Sequence, residues 1–273
     1  MNETMEYDFD FDCHTHTKEY SLCGEMTLGE LLAQKKTRGP RLVAVTDHSS
    51  HFYYPAETLN QWLDKPGVFE SRREKGNQKL EEYLDRLAAV RDQGILTGLE
   101  LDYIIGDGLF FDEKYRRRFD VLIGSVHWLP CMLPFFEKHG GDHSRHCPFD
   151  LGEFIHWTGR MLESGIDVLG HPTNLYKWAG LEPDTRTIHW MIDAAKANHV
   201  AVEINCAHKD PGEYFIQKWL EKGGKIVCSS DAHSPAQYGE YSHAGKILRG
   251  CGVSQANLKE VLFVPRKGGS KSV

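Results

Sequence analysis

Apolar residues recur along the chain in two rhythms. Short β-type runs occupy residues 7–13, 41–46, 95–101, 119–126, 166–170, 200–204 and 225–229. Between them, Leu80 to Val90 repeats apolar residues at helical spacing, and residues 150–163, 186–198 and 213–222 also fit helices. Thr27-x-x-Glu30 reads as a capping box ahead of Leu31 and Leu32. Strand-type runs that alternate with helices predict an α/β chain, a parallel sheet joined by crossover helices. Two stretches, 49–72 and 129–149, break the alternation; they are long, aromatic-rich and punctuated by Pro or Gly. Loops of that length in a compact domain are commonly functional, and their place after strands predicts pocket walls or lids.

The residue that follows each run is informative. Strand one leads into His14 and His16, strand two into Asp47 and His48, and strand three ends at Glu100. Strand four is followed by His127, strand five by His171, strand six by Asn205 and strand seven by Asp231 and His233. In a parallel barrel the carboxyl ends of all strands converge on one face, where such barrels build their sites. Residues far apart in sequence are therefore expected in one pocket.

Composition narrows this picture. A chain of 273 residues suffices for one large core, so residues 1–265 are expected to form a single domain, with 266–273 a flexible tail. The net charge of −7 gives no broad basic face, and no nucleic-acid partner is expected. No stretch approaches membrane-spanning length and residues 1–11 do not resemble a leader, so a cytoplasmic protein is expected. Seven cysteines without CxxC pairs argue against a disulfide framework and a thiolate knuckle; Cys23 and Cys206 read as packed small residues. Histidine stands out, at 15 residues.

Taken singly, each candidate has a plain structural explanation. His14-Thr15-His16 places two imidazoles on one side of an extended segment, where both can address one ion, but two core histidines would look the same. Asp231-Ala232-His233 repeats the spacing with a carboxylate. Asp47-His48 also suits a turn, and Glu100 lies in an apolar stretch where its charge needs either a metal or a salt bridge. His127 and His171 are lone histidines beside core strands. The joint pattern decides, because six histidines and two carboxylates all fall at strand ends. His139, His143 and His146 read as surface loop residues, since Gly140 and Gly141 break a helix there, and Tyr53, Tyr54 and Trp62 as residues that pack their loop down.

These residues resemble the polymerase and histidinol phosphatase (PHP) superfamily of metal-dependent phosphoesterases. The matching motifs are DCHTHT (12–17), VTDHS (45–49), GLELDY (98–103), IGSVHW (123–128), LGHP (169–172), EIN (203–205) and SSDAHSP (229–235), in the family's order. DCHTHTKEYSLCGE and SDAHSPAQYG are most similar to the stand-alone histidinol-phosphatase branch. The resemblance implies a distorted TIM-like (β/α)7 barrel with the metal site at the carboxyl ends of its strands. It further implies three divalent metal ions, Zn, Mn or Fe: one held by His14, His16, Glu100 and Asp231, a second by a bridging Glu100 with His127 and His171, a third by His48, His233 and Glu25. Two departures stand out. Glu25 replaces the histidine usual after CysGly, which bears on the third site. Ala207-His208-Lys209 replaces the usual Gly-Leu-Arg, whose arginine the family uses for phosphate, so His208 and Lys209 become the candidate substrate contacts.

The expected function is that of a phosphomonoesterase of the histidinol-phosphatase kind, acting on a small phosphorylated metabolite through a metal-activated hydroxide. Asp231, His233 and a metal-bound water are candidates for the acid that protonates the leaving group. Alternatives are a PHP phosphoesterase for nucleotides or phosphodiesters, and an amidohydrolase-type C–N hydrolase, although no lysine ends a strand here. A non-catalytic metal-binding module would be expected to have lost ligands.

Overall fold

A computed structural model describes residues 7–54, 67–104, 108–139 and 145–266. Seven strands form one sheet: β1 (Phe11–Asp12), β2 (Leu42–Val45), β3 (Ile95–Leu101), β6 (Val121–Gly124), β7 (Val168–Leu169), β8 (Ala201–Asn205) and β9 (Ile226–Ser229). They neighbour one another in that order and every pairing is parallel. The sheet curls until its outer strands meet: just beyond β1 and β9, Thr15 bridges Ala232 in parallel, and the His16 N–H donates to the Ala232 carbonyl at 2.9 Å. The result is the expected α/β architecture, a nearly closed barrel of seven parallel strands. A small antiparallel hairpin, β4 (Tyr103–Ile104) with β5 (Gly108–Leu109), interrupts the cycle between β3 and β6.

Period-two alternation explains why the strands close in this way. Val43, Val45, Leu99, Leu122, Val202 and Ile204 face the helices and join the main core. The intervening positions, among them Ala44, Leu96, Ile123, Val168, Ala201 and Val227, form a second buried cluster with Cys13 just past β1, so that all seven strands contribute to the barrel interior. Closer to the carboxyl ends the same inward register turns polar, at Thr46, Glu100, Ser125, Glu203 and Ser229, all buried. The amino-terminal part of the interior is thus an apolar plug, and above it lies a floor of donors and acceptors.

The helices are α1 (Leu28–Thr37), α2 (Ser50–Tyr53), α3 (Val68–Ala88), α4 (Leu133–His139), α5 (Leu151–Leu162), α6 (Asn174–Trp178), α7 (Thr185–Ala197), α8 (Glu213–Glu221), α9 (Ser242–Gly250) and α10 (Leu258–Val261). Thr27 and Glu30 make the expected capping box, and Asp150 and Asp184 accept from the backbone N–H three residues on, each at 2.8 Å, to start α5 and α7. Differences from the sequence reading have local causes. α3 begins twelve residues before Leu80 because its first turns are too polar to show an apolar period. Tyr7 and Phe9 are buried in the helix-facing core without joining the ladder, so β1 is shorter than residues 7–13. The stretches read as loops contain α2, the start of α3 and α4. Tyr53 and Tyr54 are buried beside Asn77 and Phe110, which ties that segment down. Trp62, His143 and residues 267–273 of the expected tail lie outside the described residues. No helix among the described residues is long and apolar enough to cross a membrane.

Candidate metal centre

Glu100 occupies the centre of the polar floor. Its Oε1 lies 3.2 Å from Nε2 of both His127 and His171, while its Oε2 lies 3.0 Å from His48 Nδ1, 3.3 Å from His14 Nε2 and 3.6 Å from His16 Nε2. Asp231 Oδ1 stands 3.2 Å from His16 Nε2 and 3.5 Å from His14 Nε2. No lysine or arginine among the described residues pairs with Glu100; its partners are imidazoles.

Several of these close approaches are not hydrogen bonds. His14 Nε2, Glu100 Oε2 and Asp231 Oδ1 are buried and have no hydrogen-bond partner among the described residues, although the two carboxylate oxygens stand 3.3 and 3.5 Å from the imidazole nitrogen. Buried polar atoms left without partners call for an explanation. Donors about 2.1 Å from one tetrahedral cation stand about 3.4 Å from each other, which is the spacing here. Four groups of side chains bring their ligand atoms within 4.8 Å: His14, His16 and Asp231; His48, Glu100 and His127; His171, His208 and Asp231; and His16, Cys23, His48 and His233. The donor set therefore fits divalent cations.

A second layer of carboxylates orients the imidazoles. Glu203 Oε1 lies 2.7 Å from His14 Nδ1, and Asp102 Oδ1 lies 2.9 Å from His127 Nδ1. Each contact holds a proton on Nδ1 and leaves Nε2 as a free lone pair turned to the centre. Glu203 also accepts from the His171 backbone N–H at 2.7 Å, from Asn205 at 3.0 Å and from the Ser229 hydroxyl, so its buried charge is spread over four donors. Asn205 donates equally to Asp231 Oδ2, at 3.0 Å. His233 Nδ1 lies 2.9 Å from the Asp231 carbonyl and can donate its proton there.

Charge and strain are both concentrated at this face. Burial opposes ionisation of Glu100, but His48, His14 and His127 outweigh it and hold the carboxyl well below its ordinary range. Burial likewise works against charge on Asp231, which His14 and His16 hold ionised. For His127 burial is overcome by Glu100 and Asp102, which raise it to about 9. At Cys23 burial would raise the thiol, yet His48 and His233 bring it down to about 6. Three of the four non-glycine residues with a left-handed φ among the described residues are here: His171 (25°), Asp231 (50°) and Lys209 (54°). Such a backbone costs about 1–3 kcal/mol per residue, and surrounding structure sustains it mainly at functional sites.

Of the residues singled out in the sequence, His14, His16, His48, Glu100, His127, His171, Asp231 and His233 are brought together. His208 joins them, with Nε2 3.3 Å from Asp231 Oδ2. Lys209 is exposed at the rim. Glu25 is exposed and belongs to none of the four groups; its backbone N–H, not its carboxylate, meets this face, donating to the His233 carbonyl at 2.7 Å. Cys23, read as a packed small residue, instead lies within one of the groups. Asp102 and Glu203 went unassigned, although each had a signal: Asp102 is two residues from Glu100 on the same strand side, and Glu203 is a carboxylate in an apolar strand. His139 packs against Phe135 with the rings tilted by 46° and enters no group of ligands among the described residues.

The PHP domain sequence model matches residues 12–207, well over half of the chain, and the chain belongs to that family. Among curated relatives it is 26% identical over 253 residues to a "probable phosphatase" of Acetivibrio thermocellus, covering 88% of this chain and 86% of the relative. It is 25% identical over 232 residues to the DNA polymerase/3'-5' exonuclease PolX of Bacillus subtilis, covering 82% of this chain but only 34% of that protein's length. Among solved structures it superposes on the histidinol phosphate phosphatase of Lactococcus lactis, complexed with zinc, L-histidinol and phosphate, with a TM-score of 0.54 at 16% identity, over 89% of this chain and 94% of the other. HisK of Listeria monocytogenes gives 0.57 at 15% identity, over 84% and 97%. At such identities the structural likeness speaks for the fold.

Proposed function

We propose that the chain is a metal-dependent phosphomonoesterase that hydrolyses a small phosphorylated metabolite, with histidinol phosphate the first candidate. The observation that carries this reading is the convergence of His14 Nε2, Glu100 Oε2 and Asp231 Oδ1, buried and unpartnered, at the spacing of ligands to one cation. The Lactococcus phosphatase, of the same fold and with zinc, L-histidinol and phosphate bound, supports the substrate class.

In this reading His14, His16, Glu100 and Asp231 would hold one divalent cation, Glu100 with His127 and His171 a second, and His48 with His233 a third. Bound cations bring the pKa of a coordinated water to roughly 7 and neutralise charge on the transferring phosphoryl group. The chain's own part is to fix the ligands beforehand: Glu203 sets the tautomer of His14, Asp102 that of His127, and Asn205 the rotamer of Asp231. Asp231, held ionised, serves as an anion, and His233, with Nδ1 turned to a carbonyl, offers Nε2 as a ligand. His208 and Lys209 flank the mouth and supply the contacts to phosphate and to the organic part of the substrate. Lysine there acts as a point charge and not as a bidentate fork.

The test is to assay metal-loaded protein against phosphomonoesters, including histidinol phosphate, and against phosphodiesters and amides. The highest kcat/KM is expected on a monoester. Preference for a diester would move the function toward that of the exonuclease relative, and amide turnover without phosphate release would overturn the proposal.

A further inference from the structure

The segment between β1 and α1 is a tight turn built around Cys23. Ser21 N–H donates to the Thr17 carbonyl at 2.9 Å, Gly24 N–H to Ser21 at 3.1 Å, and Lys18 N–H to Met26 at 2.8 Å. Gly24 lies flat on the backbone of Thr17: a Cβ there would stand 2.6 Å from the Thr17 carbonyl carbon and oxygen. The flanks are fixed as well. Leu22 N–H donates to His51 Nδ1 at 3.1 Å, and the Glu25 and Met26 N–H groups donate to the His233 carbonyl at 2.7 and 3.1 Å. The turn is thus anchored to the residues that bear the imidazoles, and it presents the sulfur of Cys23 where it can reach them.

That sulfur belongs to a group with His16, His48 and His233 whose ligand atoms lie within 4.8 Å of one another. The Nδ1 atom of His233 is turned to the Asp231 carbonyl at 2.9 Å, so its Nε2 is the nitrogen left for a cation, and the His48 ring stands between this corner and Glu100, 3.0 Å from Nδ1. Glu25 contributes only its backbone to this corner. We propose that Cys23, and not Glu25, completes the third metal site with His48 and His233 as a thiolate ligand, so that this site takes zinc or iron in preference to manganese. Thiolate is a soft donor and selects those ions, whereas a carboxylate in its place would favour harder ones. The inference rests on the metal-dependent reading above.

Cobalt distinguishes the two. Metal-free protein titrated with Co2+ is expected to develop a near-ultraviolet thiolate-to-cobalt charge-transfer band. Cys23→Ser should lose the band and part of the bound cobalt, and Glu25→Gln should retain both. Since a serine variant can misfold, the wild-type protein gives an independent reading: zinc should slow alkylation of Cys23, followed by peptide mapping, severalfold relative to metal-free protein. Cobalt bound without the band, a band that survives Cys23→Ser, or alkylation unaffected by zinc would overturn the thiolate assignment and leave the metal-dependent reading standing. Failure to bind cobalt at all would overturn both.

Discussion

Glu203 never faces the centre directly, yet it receives donors from four strand ends: His14 after β1, His171 after β7, Asn205 in β8 and Ser229 in β9. Replacing it by glutamine keeps the shape but puts an amide donor where acceptors are needed. Metal affinity of Glu203→Gln is expected to fall by about 10–100-fold, the usual effect of losing a carboxylate behind a ligating histidine, and chelator competition measures it. Glu100→Gln should cost metal on both sides of the cluster, because its two oxygens face different histidines; unchanged metal content by elemental analysis would contradict the bridging role. The first-rank residues were legible because histidines and carboxylates recur together at the strand ends, a joint pattern that HxH or DxH alone would not carry. Glu203 and Asp102 carry the same residue types, but their roles depend on which imidazole nitrogen they meet. That relation arises only when non-adjacent strands close into a ring. Cys23 was harder still, since nothing in its neighbours indicates that a turn folds back onto His48 and His233.

Among the elements, strand positions were read well wherever apolar runs were short and the intervening helices amphipathic, as for β8, α8 and β9. The long polar start of α3 shows the limit: a helix exposed over several turns carries no apolar period, and its existence rests on tertiary support. The barrel wall makes its own demand at Gly98 in β3. An alanine Cβ there would stand 2.4 Å from Thr46 Cγ2 and 2.9 Å from the Val45 carbonyl. Backbone and a β-branched neighbour cannot yield easily, so Gly98→Ala is expected to destabilise the protein by about 1–3 kcal/mol, the ordinary cost of overpacking, in denaturant titration. An unchanged midpoint would mean that β2 and β3 can separate, contrary to the continuous ladder between them.

For the molecule as a whole, the opposite end of the barrel gives a stability handle away from the site. Asp167, at the base of β7, accepts from the Leu122 N–H at 3.0 Å and pairs with Arg266. Burial raises its carboxyl above the ordinary value despite Arg266 and that N–H. An aspartate in the unfolded chain titrates near about 3.9. Between that value and the raised native one, the native state binds more protons than the unfolded chain. Stability relative to Asp167→Asn should therefore rise on acidification from neutral pH and fall again as pH climbs through the native value. Denaturation midpoints of the two proteins across pH read this difference, and the opposite slope would refute it.

The seam at Thr15 and Ala232 has a consequence for the order in which the molecule is made. A ribosome delivers His14 and His16 first, and their partners Asp231 and His233 only after more than two hundred further residues. Closing so long a loop costs little more than closing a shorter one, because the entropy grows only logarithmically with length. The delay is one of timing: until β9 emerges and docks on β1, the ring of donors has a gap where its last carboxylate and imidazole belong. On the metal-dependent reading, metal capture at the full centre would therefore be a finishing step performed on a completed barrel, and not the nucleus around which the early strands assemble.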